Sequence, residues 1–183
     1  MKHIYTSLDI GSDSIKVVVC ELYQNKLNLL CSSSFKSKGI KKGLITDVQA
    51  ATNSLRNGFK EIEQMLGIKI KKVIASIPSY FADFSMIKGS IKITSDDHVI
   101  TGDDVIEVLK EAMKTKITEN KEMVTMLPID FTIDDKSGIK DPKGLVGGVL
   151  GVRAILVTTP KKNIYSVVSL LYSLGIETID ISL

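Results

Sequence analysis

The sequence is poor in the residues that build covalent and metal frameworks. Its 183 residues include no tryptophan, two cysteines, two histidines and four prolines. Cys20 and Cys31 fall on consecutive predicted strands in apolar surroundings, so they indicate buried thiols in a reducing cytosol and not a disulfide scaffold. His3 and His98 are isolated from each other and from the cysteines, so they predict neither a metal cluster nor a Cys/His nucleophile.

The sequence also lacks long apolar runs and a strong charge bias. No apolar stretch approaches the ~20 residues that a bilayer-spanning helix needs. Charged residues make up 25% and hydrophobic residues 44% of the chain, which is typical of a globular protein. The net charge is +3, and lysines gather near Gly39 and after Gly67 without interleaved aromatic residues. This pattern indicates a solvated face and no nucleic-acid partner.

The most informative stretch is LDIGSDSIK at residues 8–16. An apolar run ends at Asp9, a glycine and small polar residues follow, and a second apolar strand begins at Ile15. Gly11 permits a tight turn in which backbone N–H groups can converge on a phosphate. Asp9 can hold a hydrated Mg²⁺, and Lys16 can reach a terminal phosphate. The same residues also fit an ordinary hairpin between two core strands.

Hydrophobic periodicity predicts a chain in which strands precede and follow helices. The predicted strands are 4–10, 15–23, 27–35, 72–77, 85–94, 123–133, 149–158 and 176–183, and the predicted helices are Val48–Leu66, Thr101–Lys116 and Lys161–Leu174. Asp47 is the expected N-cap of the first helix and Gly67 its expected end, and Thr101 with Asp104 forms an expected capping box.

Two further features of this pattern concern the surface. The second and third strands are apolar on nearly every residue, so we expect both faces of their sheet to be covered. The segment 134–148 is rich in Gly, Asp and Lys, and it is predicted as a long loop.

Three segments resemble the FtsA family of bacterial actin-like cell-division proteins, in their N-terminal part. Residues 8–16 resemble the first phosphate motif of the actin, Hsp70 and sugar-kinase superfamily. Residues 37–47, SKGIKKGLITD, resemble the turn into the first long helix of FtsA proteins. The string GIKDP at residues 138–142, followed by GL at 144–145 and Gly147, is the most specific to the family. The resemblance covers nearly the whole chain.

The resemblance implies an α/β fold in two parts. The first part is an actin-like, ribonuclease H-like mixed sheet, in which residues 1–79 and 176–183 form a portion of the nucleotide-binding subdomain called 1A. The second part, residues 80–175, is the inserted FtsA-specific subdomain called 1C. This small α+β subdomain is expected to be SHS2-like, with a three-stranded sheet and two helices.

The resemblance also implies an ATP site at the first phosphate motif. Asp9 would lie beside a Mg²⁺ ion and contact it through water, and Lys16 would approach the phosphates. The backbone that would cradle the phosphates is that of Gly11, Ser12, Asp13 and Ser14. No catalytic residue is implied. Asp13 departs from the family, which usually has a neutral or basic residue there, and its carboxylate would repel a triphosphate if it pointed inward.

What the family does is implied only for a longer protein. FtsA proteins bind ATP and Mg²⁺, polymerise at the membrane, tether the tubulin-like FtsZ ring and recruit later division proteins. In the family, the second phosphate motif, the adenosine pocket, the FtsZ-binding subdomain and the C-terminal membrane helix lie beyond the position of Leu183. We therefore expect a truncated chain that binds ATP weakly or not at all and is inactive as an enzyme, with a parent protein that is at most a weak ATPase.

The expected surroundings follow from the same resemblance. The location is the cytoplasmic face of the cell membrane at the division septum. The inserted subdomain would contact later division proteins and a second copy of the protein, whereas FtsZ and the membrane would be contacted through the missing regions. The inserted subdomain could also act purely as an interaction module, through loop 134–148 or strand 85–94.

Two other functions share the phosphate motif. The first is the function of a type IV pilus assembly ATPase homologue, and the GIKDP string makes this function less favoured. The other is that of a sugar-kinase-type phosphotransferase, which needs a catalytic carboxylate in addition to Asp9. The other acidic residues are better explained as helix N-termini, at Asp47 and Asp104, or as turn residues.

Overall fold

The computed structural model describes residues 3–114 and 117–183. Its elements in chain order are β1 (His3–Ile10), β2 (Ser14–Tyr23), β3 (Lys26–Lys36), β4 (Ile40–Lys41), β5 (Leu44–Ile45), α1 (Val48–Leu66), β6 (Lys72–Ser76), a 3-10 turn (Ser79–Phe81), β7 (Asp83–Lys92), α2 (Gly102–Met113), β8 (Lys121–Ile133), β9 (Lys136–Ile139), β10 (Val149–Pro160), α3 (Lys161–Ser173) and β11 (Glu177–Ser182). Among the described residues, no helix has both the length and the apolar character that crossing a bilayer requires.

The chain divides into two compact units. One comprises Met1–Phe81 and Pro160–Leu183, and the other comprises Ala82–Thr159. The inserted unit is therefore shorter than the expected range 80–175, because α3 packs against α1 and β11 within the first unit. The predicted end of the second helix at Lys116 lies outside the described residues.

The first unit is built on a mixed five-stranded sheet in the order β11-β6-β1-β2-β3. β1 is antiparallel to β2, and β2 to β3, whereas β6 is parallel to both β1 and β11. Gln24 and Asn25, both with positive φ, form the tight turn between β2 and β3. The last strand, β11, pairs beside β6, so an opening meander and a helical crossover share one sheet.

Helix α1 covers one face of this sheet. Asp47 caps its N-terminus by accepting a hydrogen bond from the N–H of Ala50 at 3.0 Å, and Gly67 ends it at φ +65°, as predicted. Leu55 of α1 is fully buried. Gly58 lets the helix lie close to β3, since a Cβ there would be 2.2 Å from a ring carbon of Phe35.

The opposite face of the sheet is apolar and exposed. Tyr5 is 40% exposed, Leu27 66% and Leu29 64%. The expectation that both faces are covered is therefore wrong for the described residues, because the helices of this unit pack on the face that carries Leu8 and Val17. The strands are apolar on both faces, so their composition could not predict which face the helices cover.

The inserted unit contains a four-stranded sheet in the order β7-β10-β8-β9, with α2 packed against β7. It therefore has one more strand and one fewer helix than expected. The additional strand, β9, forms a hairpin with β8 inside the segment predicted as a loop. The capping box at the start of α2 is confirmed, since Thr101 and Asp104 each accept a hydrogen bond from the other's backbone N–H.

The rest of the predicted loop is held by backbone hydrogen bonds. The N–H of Ile100 donates to the carbonyl of Leu145 at 2.8 Å, and the N–H of Gly144 donates to the carbonyl of Ile100 at 2.8 Å. The N–H of Gly147 donates to the carbonyl of His98 at 3.1 Å. Gly138 and Ile139 of the GIKDP string lie on the edge strand β9, and the glycines after the string are hydrogen-bonded to residues 98–100.

A bidentate ion pair crosses the sheet of the inserted unit. Asp130 on β8 is 7% exposed and accepts from Nε of Arg153 at 2.8 Å and from Nη2 at 2.5 Å. The hydrogen bonds from Arg153 lower the pKa of Asp130 below its usual value. Burying a carboxylate is costly without such a partner, so the pair acts as one unit.

We expect Gly89→Ala to destabilise the inserted unit by about 1–3 kcal/mol, because overpacking forces backbone or rotamer shifts of that cost. A Cβ at Gly89 would lie 2.5 Å from the backbone nitrogen of Ala112 in α2. Gly151→Ala on the adjacent strand is the matched control, since its Cβ would meet nothing closer than 3.6 Å. Urea unfolding followed by circular dichroism measures both, and equal midpoints for the two variants would contradict the packing argument.

We expect Arg153→Met to destabilise the protein at pH 7 and to lose most of this effect in acid. The pKa of Asp130 is lower in the folded state than in the unfolded state, so the stability from the pair is present above about pH 4 and is lost as the pH falls through the folded value. Lys88→Met is the control, because Lys88 lies opposite Arg153 in the strand register and has no ion pair among the described residues. A pH-independent loss in the Arg153 variant would contradict this expectation.

Candidate functional site

The turn between β1 and β2 is closed by one backbone hydrogen bond. The register pairs Asp9 with Lys16 and Ile10 with Ile15, and the N–H of Gly11 donates to the carbonyl of Ser14 at 3.1 Å. A Cβ on Gly11 would lie 2.7 Å from that carbonyl oxygen. Glycine is therefore required here by the close approach of the backbone, as a tight turn predicts.

The turn between β1 and β2 leaves two backbone N–H groups without an acceptor among the described residues. The N–H of Gly11 is engaged by the carbonyl of Ser14 within the turn, so it is not one of the free donors of the backbone at residues 11–14. Among the described residues, no group accepts a hydrogen bond from the N–H of Ser12 or Asp13. Both residues are exposed, so these two N–H groups are accessible to an anionic ligand.

Asp9 and Lys16 form a cross-strand ion pair at the mouth of the turn. The distance from Nζ of Lys16 to Oδ2 of Asp9 is 3.5 Å, and the two side chains are 62% and 52% exposed. An exposed pair of this kind contributes little to stability. The two side chains can therefore separate to meet a phosphate and a hydrated cation at small cost.

The side chain of Asp13 is paired with Lys36 at the end of β3. The Lys36 ammonium donates a hydrogen bond to Oδ1 of Asp13 and lowers the pKa of that carboxyl. In addition, the N–H of Ser37 donates to the carbonyl of Asp13 at 3.0 Å. The Asp13 carboxylate is thus turned toward β3 and its charge is balanced, which relieves the repulsion expected from an inward-pointing acid.

Ser12 connects the turn to the short hairpin of β4 and β5. Its Oγ accepts a hydrogen bond from the N–H of Gly43 at 2.9 Å. Gly43 lies against Pro78, since a Cβ there would be 2.2 Å from Cγ of the proline. Sequence reasoning missed both Lys36 and Gly43 as residues that contact the turn. The strand register could have indicated Lys36, because Ser14 pairs with it across β2 and β3.

A row of polar side chains crosses the exposed face of the sheet at the level of the turn. Asp9 pairs with Lys16 on one side and with Ser76 on the other, and Lys16 pairs in turn with Ser34. Ser76 pairs with Ser182, and their Oγ atoms are 3.3 Å apart. All five strands therefore contribute one polar residue to this row, whereas the same face is apolar further from the turn.

The residues present are suited to a hydrated cation and a phosphate chain. Among residues 3–114 and 117–183, no group of three or more His, Cys, Asp or Glu side chains could hold a metal ion directly. Mg²⁺ usually keeps several waters and needs one or two carboxylates together with phosphate oxygens. Asp9 can supply that carboxylate, and the two free N–H groups can supply phosphate donors.

The sequence is similar to FtsA proteins along most of its length. The family described as "SHS2 domain inserted in FTSA" matches residues 83–158. The cell division protein FtsA of Streptococcus pneumoniae serotype 2 is 35% identical over 173 residues, which cover 94% of this chain and 38% of that protein. FtsA of Enterococcus hirae is 34% identical over 164 residues, covering 90% and 37%, and FtsA of Bacillus subtilis is 30% identical over 180 residues, covering 98% and 41%.

A solved structure shares the fold. A chain of the PilM–PilN type IV pilus biogenesis complex superposes on this chain with a TM-score of 0.64 and 12% sequence identity. The match covers 98% of this chain and 47% of that chain. This likeness shows the actin-like fold alone. The chain spans about two fifths of the length of the curated relatives it matches. The resemblance of this chain to the FtsA family is therefore confirmed, and residues 83–158 match the family described as an SHS2 domain inserted in FtsA.

Proposed function

We propose that residues 1–183 form the part of a bacterial cell-division protein that contributes the first phosphate contacts of an ATP site. The observation that carries the proposal is the turn at Gly11, which presents the N–H groups of Ser12 and Asp13 beside the Asp9–Lys16 pair. The role in cell division is supported by the relatives named cell division protein FtsA and by the inserted SHS2 domain.

Each residue of the turn would have a separate task. The N–H groups of Ser12 and Asp13 would donate to phosphate oxygens, and Lys16 would approach them as a point charge. Asp9 would accept hydrogen bonds from waters bound to Mg²⁺. A bound Mg²⁺ would neutralise phosphate charge. Lys36 would keep the Asp13 carboxylate away from the phosphates.

We infer that residues 1–183 alone bind ATP weakly. The proposed phosphate donors all lie on the turn between β1 and β2, and the relatives are more than twice as long as the matched region. Isothermal titration of Mg-ATP into residues 1–183 and into the longest natural form of the protein would compare the two. Low-micromolar affinity for residues 1–183 alone would contradict this inference.

The proposed partners belong to the longer protein. The inserted unit, Ala82–Thr159, would contact later division proteins and a neighbouring copy of the protein. FtsZ and the cytoplasmic face of the membrane would be contacted by regions outside these residues, at the division septum. These assignments are supported by the FtsA relatives and by the SHS2 match, which covers nearly the whole inserted unit.

The pilus-assembly alternative has weaker support. The likeness to PilM–PilN rests on 12% identity, whereas the FtsA relatives reach 35% over most of the chain. The phosphotransferase alternative needs a catalytic carboxylate in addition to Asp9, and Asp47 and Asp104 instead cap the helices α1 and α2. Cell division is therefore the function that the observations favour.

We expect Lys36→Ala to weaken Mg-ATP binding by about three- to tenfold, because Asp13 would keep an unbalanced charge near the phosphates. The Asp13 carboxylate stays ionised at neutral pH with or without Lys36. Asp13→Asn in the Lys36→Ala background should restore affinity to within about twofold, and high salt should reduce the effect of the single change. If the Lys36→Ala loss persists in the Asp13→Asn background, Lys36 binds the nucleotide itself and the balancing role is wrong.

We expect a fluorescent fusion of the natural protein to localise at division septa in the organism that encodes it. Depleting the protein should produce elongated cells in which tubulin-like rings form but septa do not close. The measurement is fluorescence microscopy of ring position and cell length. Normal septation in depleted cells, together with loss of pili, would favour the pilus-assembly function instead.

A further inference from the structure

The hydroxyl pair of Ser76 and Ser182 lies next to the proposed metal position, and neither residue belongs to the phosphate motif. Parallel pairing places Ser76 directly beside Asp9, on the same exposed face. Ser182 follows on β11, with its Oγ 3.3 Å from that of Ser76. The pair is held in place because the N–H of Ile77 donates to the carbonyl of Ser182 at 2.9 Å.

The spacing of Asp9 and Ser76 suits a hydrated Mg²⁺. Neighbouring strands are about 5 Å apart, so acceptors on paired residues of one face are separated by about that distance. Mg²⁺ holds its waters at about 2.0–2.1 Å in an octahedron, which puts adjacent waters about 3 Å from each other. Two adjacent waters can therefore donate to two acceptors with this separation, one to each.

The chemistry of the row favours water over direct coordination for Ser76. A neutral hydroxyl is a weak ligand for Mg²⁺ compared with a carboxylate or phosphate oxygen, but it accepts hydrogen bonds readily. If the hydroxyl of Ser76 donates to Ser182, the lone pairs of Ser76 Oγ remain available on the side of Asp9. Lys16 occupies the other side of Asp9 and repels a cation there.

We propose that Ser76, oriented by Ser182, accepts a hydrogen bond from a water of the Mg²⁺ ion that accompanies ATP, and so positions the hydrated metal beside Asp9. This inference rests on the proposed ATP site. Under this proposal a residue at the end of β6, outside the phosphate motif, helps to position the metal. Ser76 acts through the metal hydration shell and is a positioning residue.

The test compares ATP affinity in excess Mg²⁺ with affinity in a chelator, using the longest natural form of the protein. We expect Ser76→Ala to reduce the Mg²⁺-dependent gain in affinity by about three- to tenfold, in line with the loss of one hydrogen bond, and to leave the affinity in chelator unchanged. Ser76→Thr keeps the hydroxyl and should keep the gain. Asp9→Asn is the positive control, and should reduce the gain at least as much.

Ser7→Ala is the matched negative control. Ser7 lies on the same face of β1, two residues before Asp9, and pairs with Ile74 and Val18 instead of with the polar row. An equal loss for Ser76→Ala in Mg²⁺ and in chelator would show a direct phosphate contact or a structural effect, and an unchanged gain would show no role. Either result overturns this inference alone, whereas a parent protein that binds no ATP overturns the proposed function as well.

Discussion

The registers on the two sides of β1 are the constraint on which the candidate site depends. Antiparallel β2 places Lys16 opposite Asp9, and parallel β6 places Ser76 beside it. Because side chains alternate between faces, a slip of one residue in either pairing would send these groups into the core. Leu8 and Val17 are fully buried on the opposite face, so burial of apolar side chains fixes the position of the polar ones.

Much of the fold could be predicted because its signals are local. The period of apolar residues, the cap at Asp47 and the glycine at Gly67 specify α1 within one stretch of chain. β9 was missed because its four residues contain only one apolar side chain, Ile139, and its pairing partner is supplied by β8. Helix α3 belongs to the first unit because it contacts β11 and also α1, which is distant in sequence, and no local pattern indicates a contact with α1.

The candidate site divides in the same way. Asp9, Gly11 and Lys16 could be found from nine consecutive residues, since a glycine turn between two strands has a limited set of geometries. Which N–H groups remain free could not be found, because that depends on the hydrogen bond that closes the turn. The supporting contact from Lys36 comes from the end of β3, and that from Gly43 comes from the turn between β4 and β5, so both depend on how segments distant from the motif pack against it.

The close approach of α1 to β3 restricts how this fold can vary. The ring of Phe35 occupies the space that a side chain at position 58 would need. A larger residue at position 58 therefore fits only if the residue at position 35 becomes smaller. A glycine inside a helix weakens it by roughly 1 kcal/mol relative to alanine. Its retention at position 58 therefore depends on the bulk of its neighbour, and in related chains a smaller residue at 35 should accompany a larger one at 58.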